Sequence, residues 1–184
     1  LLDGSCVPAT LAEEYAAALA KSGAALKSQD VASSIWDATG ERKPLPDTAC
    51  ELLTPAQTGA TAADRIALVR AELEKAGATA LAVTGLDCVG WLLNLRARDL
   101  PCTPLAVAYA LVTREACTLF LADGRLNAED AATLAASGVT VRGYNELVDA
   151  VHALPADEVF LVDEKATNYD LYTALTAHKT VAGA

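Results

Sequence analysis

The residues most able to do chemistry as a group lie between positions 94 and 99. They are two arginines, an aspartate and an asparagine: Asn94, Arg96, Arg98 and Asp99. The planar guanidinium fork of arginine fits a carboxylate, whereas an exposed ion pair adds only about 0–1 kcal/mol to stability. These four residues are therefore our candidates for facing a substrate cleft, a neighbouring domain or another subunit. Plain exposure to solvent is the alternative interpretation, and it stays open.

Cys88 is the best-placed nucleophile in the sequence. It falls in the first turn of a predicted helix, where the helix dipole can lower the pKa of a thiol. The Gly-x-Ser-x-Gly motif of a serine hydrolase does not occur. The opposing interpretation is a buried core cysteine, since free cysteine is among the most buried residue types.

The histidines do not indicate a metal site. A catalytic metal needs about three or four converging His, Asp, Glu or Cys ligands. The chain has only His152 and His178, and neither belongs to a His-x-x-x-His or Cys-x-x-Cys spacing. Glycine-rich phosphate-binding motifs are also missing from the sequence. We therefore predict no metal, no cofactor and no catalytic residue within this chain.

Composition narrows the classes of partner and compartment. The formal net charge is -10 and the pI is near 4.6, so nucleic acid and acidic membranes would be repelled. Apolar residues make up 53% of the chain but never form an uninterrupted run of membrane-spanning length. Five widely spaced cysteines without a Cys-x-x-Cys pair indicate free thiols in a reducing compartment. We expect a soluble, cytoplasmic protein.

Helices and short strands alternate along the chain. Helical periodicity and capping residues predict helices over 10–22, 61–77, 86–93, 127–137, 145–154 and 167–177, with one or two further turns after Asp30. Short apolar runs predict strands over 24–27, 79–84, 106–113, 116–121, 139–141, 158–162 and 180–181. The strands before and after Arg114-Glu115 form a hairpin. This order predicts an α/β fold with a mixed β-sheet flanked by helices.

Prolines and glycines divide the chain. Residues 37–60 contain Pro44, Pro46 and Pro55 together with Gly40 and Gly59, a composition typical of a linker. The sequence also lacks methionine, so we expect an excised fragment or a processed chain. The predicted organisation is the end of a first domain at 1–36, a linker at 37–60 and a second domain at 61–184.

The stretch around these candidates resembles a signature of the three-domain Xaa-Pro aminopeptidases, also known as aminopeptidase P. That signature reads Leu-Asp-x-Ile-Ala-Trp-Leu-x-Asn-x-Arg-Gly-x-Asp, followed after three residues by Asn-Pro, and lies in the second creatinase-like N-terminal domain. The matching positions are Leu86, Asp87, Trp91, Leu92, Asn94, Arg96, Asp99 and Pro104. The chain departs from it at Ala97, where the family has glycine, and at Thr103, where it has asparagine.

The resemblance implies a ribonuclease-H-like module and a division of labour. In that family the peptidase chemistry belongs to a C-terminal pita-bread domain, in which two Asp, two Glu and one His hold two divalent metals, usually manganese. The second domain packs against this catalytic domain, walls the substrate cleft and restricts entry to short Xaa-Pro peptides. The implied partners are thus the catalytic domain of the same chain and short peptides, and a homodimer is left open.

Two other functions remain open at this stage. The first is a free-standing thiol enzyme that uses Cys88. The second is a binding or pseudoenzyme module that keeps the fold without any metal domain.

Overall fold

A six-stranded sheet forms the centre of the molecule in the computed structural model, which describes residues 1–183. Its strands are β2 Ala80–Val83, β4 Tyr109–Thr113, β5 Cys117–Leu121, β6 Val139–Gly143, β7 Val159–Val162 and β8 Lys179–Ala182. Their order across the sheet is β6-β5-β4-β2-β7-β8. Two short strands, β1 (Glu51–Leu52) and β3 (Leu95–Arg96), pair separately. The predicted end of the second domain at Ala184 lies outside the described residues.

All strands of the large sheet are parallel except β4. This strand is antiparallel to both β2 and β5, whereas β5 pairs with β6, β2 with β7 and β7 with β8 in parallel. The predicted hairpin and the predicted mixed sheet are confirmed. Consequently one end of the sheet, which we call the carboxyl edge, is formed by the carboxyl ends of the parallel strands and the start of β4. The parallel strands are β2, β5, β6, β7 and β8.

The described residues form eight α-helices. They are α1 (Ala9–Ala20), α2 (Ser33–Thr39), α3 (Pro55–Thr58), α4 (Ala62–Lys75), α5 (Leu86–Leu93), α6 (Ala128–Ala136), α7 (Leu147–His152) and α8 (Tyr169–Thr176). One core cluster contains Ile66 of α4, Leu92 of α5 and Leu134 of α6. The second cluster contains Phe160 of β7 with residues of α7 and α8. The two clusters therefore lie on opposite faces of the sheet.

One local prediction was wrong at the start of the chain. No strand forms over 24–27. The nearest pairing is an isolated bridge between Leu2 and Ser28, which does not extend into a ladder. The helix predicted over 10–22 is confirmed as α1, Ala9–Ala20. Its N-cap residue is Pro8, whose ψ of 146° is extended, so the helical conformation begins at the next residue.

The N-terminal and linker segments are in contact with the sheet domain. Ala9 N donates to Thr167 O at 2.9 Å, and Tyr169 N donates to Val7 O at 2.9 Å, which joins the start of the chain to α8. The segment predicted as a linker holds β1 and α3, and Leu53 N donates to Asn94 O at 2.9 Å. The division into 1–36, 37–60 and 61–184 stays a prediction.

Candidate interdomain site

The polar loop that follows α5 runs along the carboxyl edge of the sheet. Helix α5 ends at Asn94, whose φ of 57° places it in the left-handed region, and Trp91 O accepts from its backbone N–H. Asparagine is one of the few residues that adopts this conformation readily. The chain then turns sharply into β3, so the polar residues from Asn94 onwards are held against the domain.

Arg65 of α4 fixes the start of this loop. Its guanidinium donates to Trp91 O, to Asn94 Oδ1 and, at 2.9 Å, to Thr58 O. It also lies 5.0 Å from the centre of the Trp91 ring, a cation–π arrangement. Asn94 Nδ2 donates to Ala60 O at 2.9 Å. Both ends of the buried Asn94 amide are therefore used within the chain.

A buried ion pair fixes the middle of the loop. Arg125 Nη2 donates to both carboxylate oxygens of Asp99 at 2.6 and 2.7 Å, and the two side chains are only 2% and 0% exposed. Thr48 Oγ1 and Val107 N also donate to this carboxylate, at 2.5 and 2.6 Å. Arg125 Nε donates to Thr48 O at 2.9 Å, so the pair also holds the segment before β1.

These donors set the charge state of Asp99. Burial by itself raises the pKa of a carboxylate, but the hydrogen bonds from Thr48, Val107 and Arg125 and the charge of Arg125 outweigh it. The pKa of Asp99 is therefore below its ordinary value, and the group is an anion at neutral pH. Its role within the described chain is to fix the loop.

The four candidate residues differ in whether their side chains have hydrogen-bond partners within the described chain. Asn94 and Asp99 are satisfied internally, by Arg65 and Arg125. Arg96 is partly buried and donates from Nη1 to Gly90 O and Leu95 O at 2.7 and 2.8 Å. Arg98 has an exposed side chain, which makes no hydrogen bond to any residue from 1 to 183, while its backbone N donates to Thr48 Oγ1 at 3.2 Å. That these residues face a cleft or another domain stays a prediction.

Cys88 does not have the features of an activated thiol. Partial burial of the sulfur raises the pKa of Cys88, and the charge and hydrogen bond of the neighbouring Asp87 raise it further. Asp87 also accepts from the backbone N of Cys88 at 2.9 Å. A raised pKa reduces the fraction of reactive thiolate at neutral pH. The expected effect of the helix dipole is therefore outweighed.

Neither a metal centre nor a membrane span can be assigned to the described chain. Within residues 1–183 no three or more His, Cys, Asp and Glu side chains come together in a way that could hold a metal ion. His152 is exposed at the end of α7, and the Nε2 atom of His178 lies 3.1 Å from Val151 O. None of the helices over the same residues has the length and apolarity to cross a bilayer.

Sequence reasoning missed three residues that hold the loop in place. Arg65 lies four residues before Val69 and eight before Leu73, so it falls on the apolar face of α4. A charged residue on an apolar helix face indicates a buried hydrogen-bond partner, and this signal could have identified Arg65. Arg125 follows the turn after β5, and Thr48 lies in the predicted linker. Neither has a local sequence signal, because their common partner Asp99 is distant in the chain.

The geometry is that of a mixed α/β domain that holds a rigid polar loop along the carboxyl edge of its sheet. Residues 41–184 match the family model of the Creatinase/Prolidase N-terminal domain. The chain belongs to this family. The resemblance seen in the sequence is thereby confirmed, as is the fold class.

Similar proteins include fungal and mammalian Xaa-Pro aminopeptidases. The chain is 35% identical over 127 residues to a probable Xaa-Pro aminopeptidase P from Neurospora crassa, covering 68% of the chain and 18% of that protein. It is 35% identical over 164 residues to another from Coprinopsis cinerea, covering 84% and 26%. Xaa-Pro aminopeptidase 2 from Sus scrofa is 28% identical over 155 residues, covering 80% and 23%. The chain thus spans about a quarter or less of these proteins.

A solved structure shows the same fold over almost the whole chain. The X-prolyl aminopeptidase from Caenorhabditis elegans, described as a cytosolic enzyme with a di-nuclear active site, superposes with a TM-score of 0.87 at 22% identity. The superposition covers 98% of this chain and 30% of the worm enzyme. The chain matches an N-terminal portion of a larger, multidomain class of protein.

Proposed function

We propose that this chain is the non-catalytic N-terminal portion of an Xaa-Pro aminopeptidase. The full protein would release the N-terminal residue from peptides that carry proline in second position. The observation that supports this proposal most strongly is the coverage, since 98% of the chain aligns with only 30% of the worm enzyme. The remaining part of such a protein would contain the catalytic domain.

The role of this portion is to pack on the catalytic domain and to wall its substrate cleft. Its fixed loop suits that task, because a group that recognises a ligand works best when its supports are rigid. The Asp99–Arg125 pair and the Arg65–Asn94 contacts immobilise the loop, and Arg98 projects from it with a free guanidinium. That guanidinium would bind a carboxylate, either on the catalytic domain or on the peptide substrate.

The metal and the compartment follow from the same proposal. The full protein would hold two divalent cations, which we expect to be manganese, with ligands that all come from the catalytic domain. Such ions polarise a carbonyl and supply a nucleophilic water when they are bound. We place the protein in the cytoplasm, with short Xaa-Pro peptides as substrates and with no nucleic acid or membrane partner.

A single substitution in the full protein tests the role of the loop. We expect Arg98→Met to raise KM for an Xaa-Pro tripeptide up to about fivefold, because a partly exposed ion pair contributes up to about 1 kcal/mol. The kcat value should change little, since the reacting atoms are held elsewhere. The experiment measures steady-state hydrolysis in the presence of manganese.

The matched control is Arg114→Met. Arg114 is an exposed arginine in the β4–β5 turn, at the opposite edge of the sheet from Arg98. Its replacement should leave both constants unchanged. Equal effects of the two substitutions, or none for Arg98→Met, would rule out the loop as part of the cleft wall.

A further inference from the structure

An apolar groove opens between α4, β2 and α5. Its volume is about 330 Å³, and its apolar lining consists of Val69, Leu81, Val83, Cys88, Trp91 and Leu92. Asp87 is the one charged residue along it. Trp91 is 45% exposed beside it. We call this feature the Trp91 groove.

The same apolar surface continues onto β7 and β8. Leu161 and Val181 are directly paired in the sheet, and both are only partly buried against the core cluster that also contains Leu92. Ala80 of β2 pairs with Phe160 of β7. Leu81 and Leu161 each follow one member of this pair, so both side chains lie on the same face of the sheet. Three neighbouring strands thus present one incompletely covered apolar surface.

Parallel strands are normally covered on both faces, and here one face lacks part of its cover. Helix α8 packs on β7 and β8 from the side of the second core cluster, whereas α4 and α5 contact β4 on the groove side. An apolar surface that extends from a groove across adjacent strands is typical of a contact surface. We therefore expect an additional helix or strand to cover this surface on the groove side.

The position of the end of β8 indicates which element this is. Gly183 N donates to Val162 O at 2.8 Å, so β8 ends beside the carboxyl end of β7. Strand β8 is two strands away from β2, which corresponds to about 10 Å. The carboxyl end of β2 leads through Gly85 into α5 and the groove. A segment that follows β8 would therefore emerge within reach of the groove.

We propose that the Trp91 groove and the adjoining Leu161–Val181 surface bind an amphipathic helix from the polypeptide that follows β8 in the full protein. This inference rests on the proposed function, because it needs a longer protein of the kind the relatives represent. The helix inserts its apolar face, as in other helix-in-groove contacts, and places a basic residue near Asp87. A second copy of the chain is a poorer occupant, since each copy carries a net charge of -10 and the two would repel.

Alkylation of Cys88 tests the proposal without a substitution. The rate of modification by N-ethylmaleimide is followed by mass spectrometry in the full protein and in the polypeptide 1–184. Cys88 is exposed in this chain, and we expect it to react about tenfold more slowly in the full protein because the docked helix blocks the thiol. Cys6, which is also exposed and lies outside the groove and the polar loop, is the reference thiol in the same sample.

A pair of substitutions in the full protein identifies the surface. Leu161→Glu should restore rapid alkylation of Cys88, because it places a charge on the sheet surface beside the groove. Val141→Glu is the matched control, since Val141 is 41% exposed on β6 at the far side of the sheet, and it should leave Cys88 protected.

Equal alkylation rates of Cys88 in the two polypeptides would overturn the proposal. Protection that appears in 1–184 alone and grows with its concentration would overturn it too, because the occupant would then be a second copy. Hydrolysis of an Xaa-Pro peptide by the same full-length sample separates the two ideas. Activity with an unprotected Cys88 refutes only the docked helix, whereas protection without activity refutes only the peptidase function.

Discussion

Replacing Arg125 with methionine should destabilise the domain by about 3 kcal/mol, because it leaves a buried carboxylate without its counter-ion. The guanidinium makes two short hydrogen bonds to Asp99 and one to Thr48 O. Breaking a buried pair by removal of one partner costs about 3–5 kcal/mol in general. Thr48 Oγ1 and Val107 N still donate to the carboxylate in the variant, which places the expected cost at the lower end.

The double variant Asp99→Asn/Arg125→Met tests whether the loss of stability comes from the unpaired charge of Asp99. It has no unpaired charge, and the amide oxygen of asparagine can still accept from Val107 N. It should therefore be more stable than Arg125→Met alone by about 1–2 kcal/mol, because no buried charge is left without a partner.

Urea unfolding, followed by circular dichroism and tryptophan fluorescence, measures these free energies. Arg142→Met is the matched control, because Arg142 pairs with Glu146 at the surface, where the two side chains are 39% and 47% exposed. We expect about 0–1 kcal/mol for this control. A loss below about 1 kcal/mol for Arg125→Met would refute the claim that the pair fixes the loop.

Three further outcomes follow from the same contacts. The pKa of Asp99 is lowered in the folded state, so its contribution to stability is complete above its unfolded pKa of about 3.9. That contribution is lost as the pH falls through the folded pKa. The free energy of urea unfolding should therefore decrease more steeply with acid in the wild type than in Asp99→Asn. Arg65→Met should cost about 2–3 kcal/mol in the same assay, since it leaves buried acceptors without a donor; a cost near zero would contradict this. Cys88 should be alkylated with an apparent pKa above that of an ordinary thiol, and a fast reaction at pH 6 would revive the thiol-enzyme interpretation.

Local sequence signals predicted the central elements of the fold correctly. The sequence predicts a helix from position 61, and at its start Thr61 Oγ1 accepts from Asp64 N while the carboxylate of Asp64 accepts from Thr61 N. Asn127 was expected to begin another helix, and its side chain accepts from Asp130 N. Capping groups lie within three residues of each other, so spacing alone identifies them.

The candidate site depended on contacts that spacing cannot show. Asp99 was grouped with Arg96 and Arg98 because they are neighbours in sequence, yet its charged partner is Arg125, 26 residues further on. That pairing arises only when β4 and β5 bring the two loops together at the carboxyl edge. The sequence therefore indicated where the polar loop lies, and the structure was needed to show which side chains are free.

The most direct test of the central claim is an activity measurement on the polypeptide 1–184. It is incubated with manganese and an Xaa-Pro tripeptide beside the full protein, and release of the first residue is followed. Our account predicts turnover by the full protein and none by 1–184. Turnover by 1–184 that a substitution within these residues abolishes would contradict it.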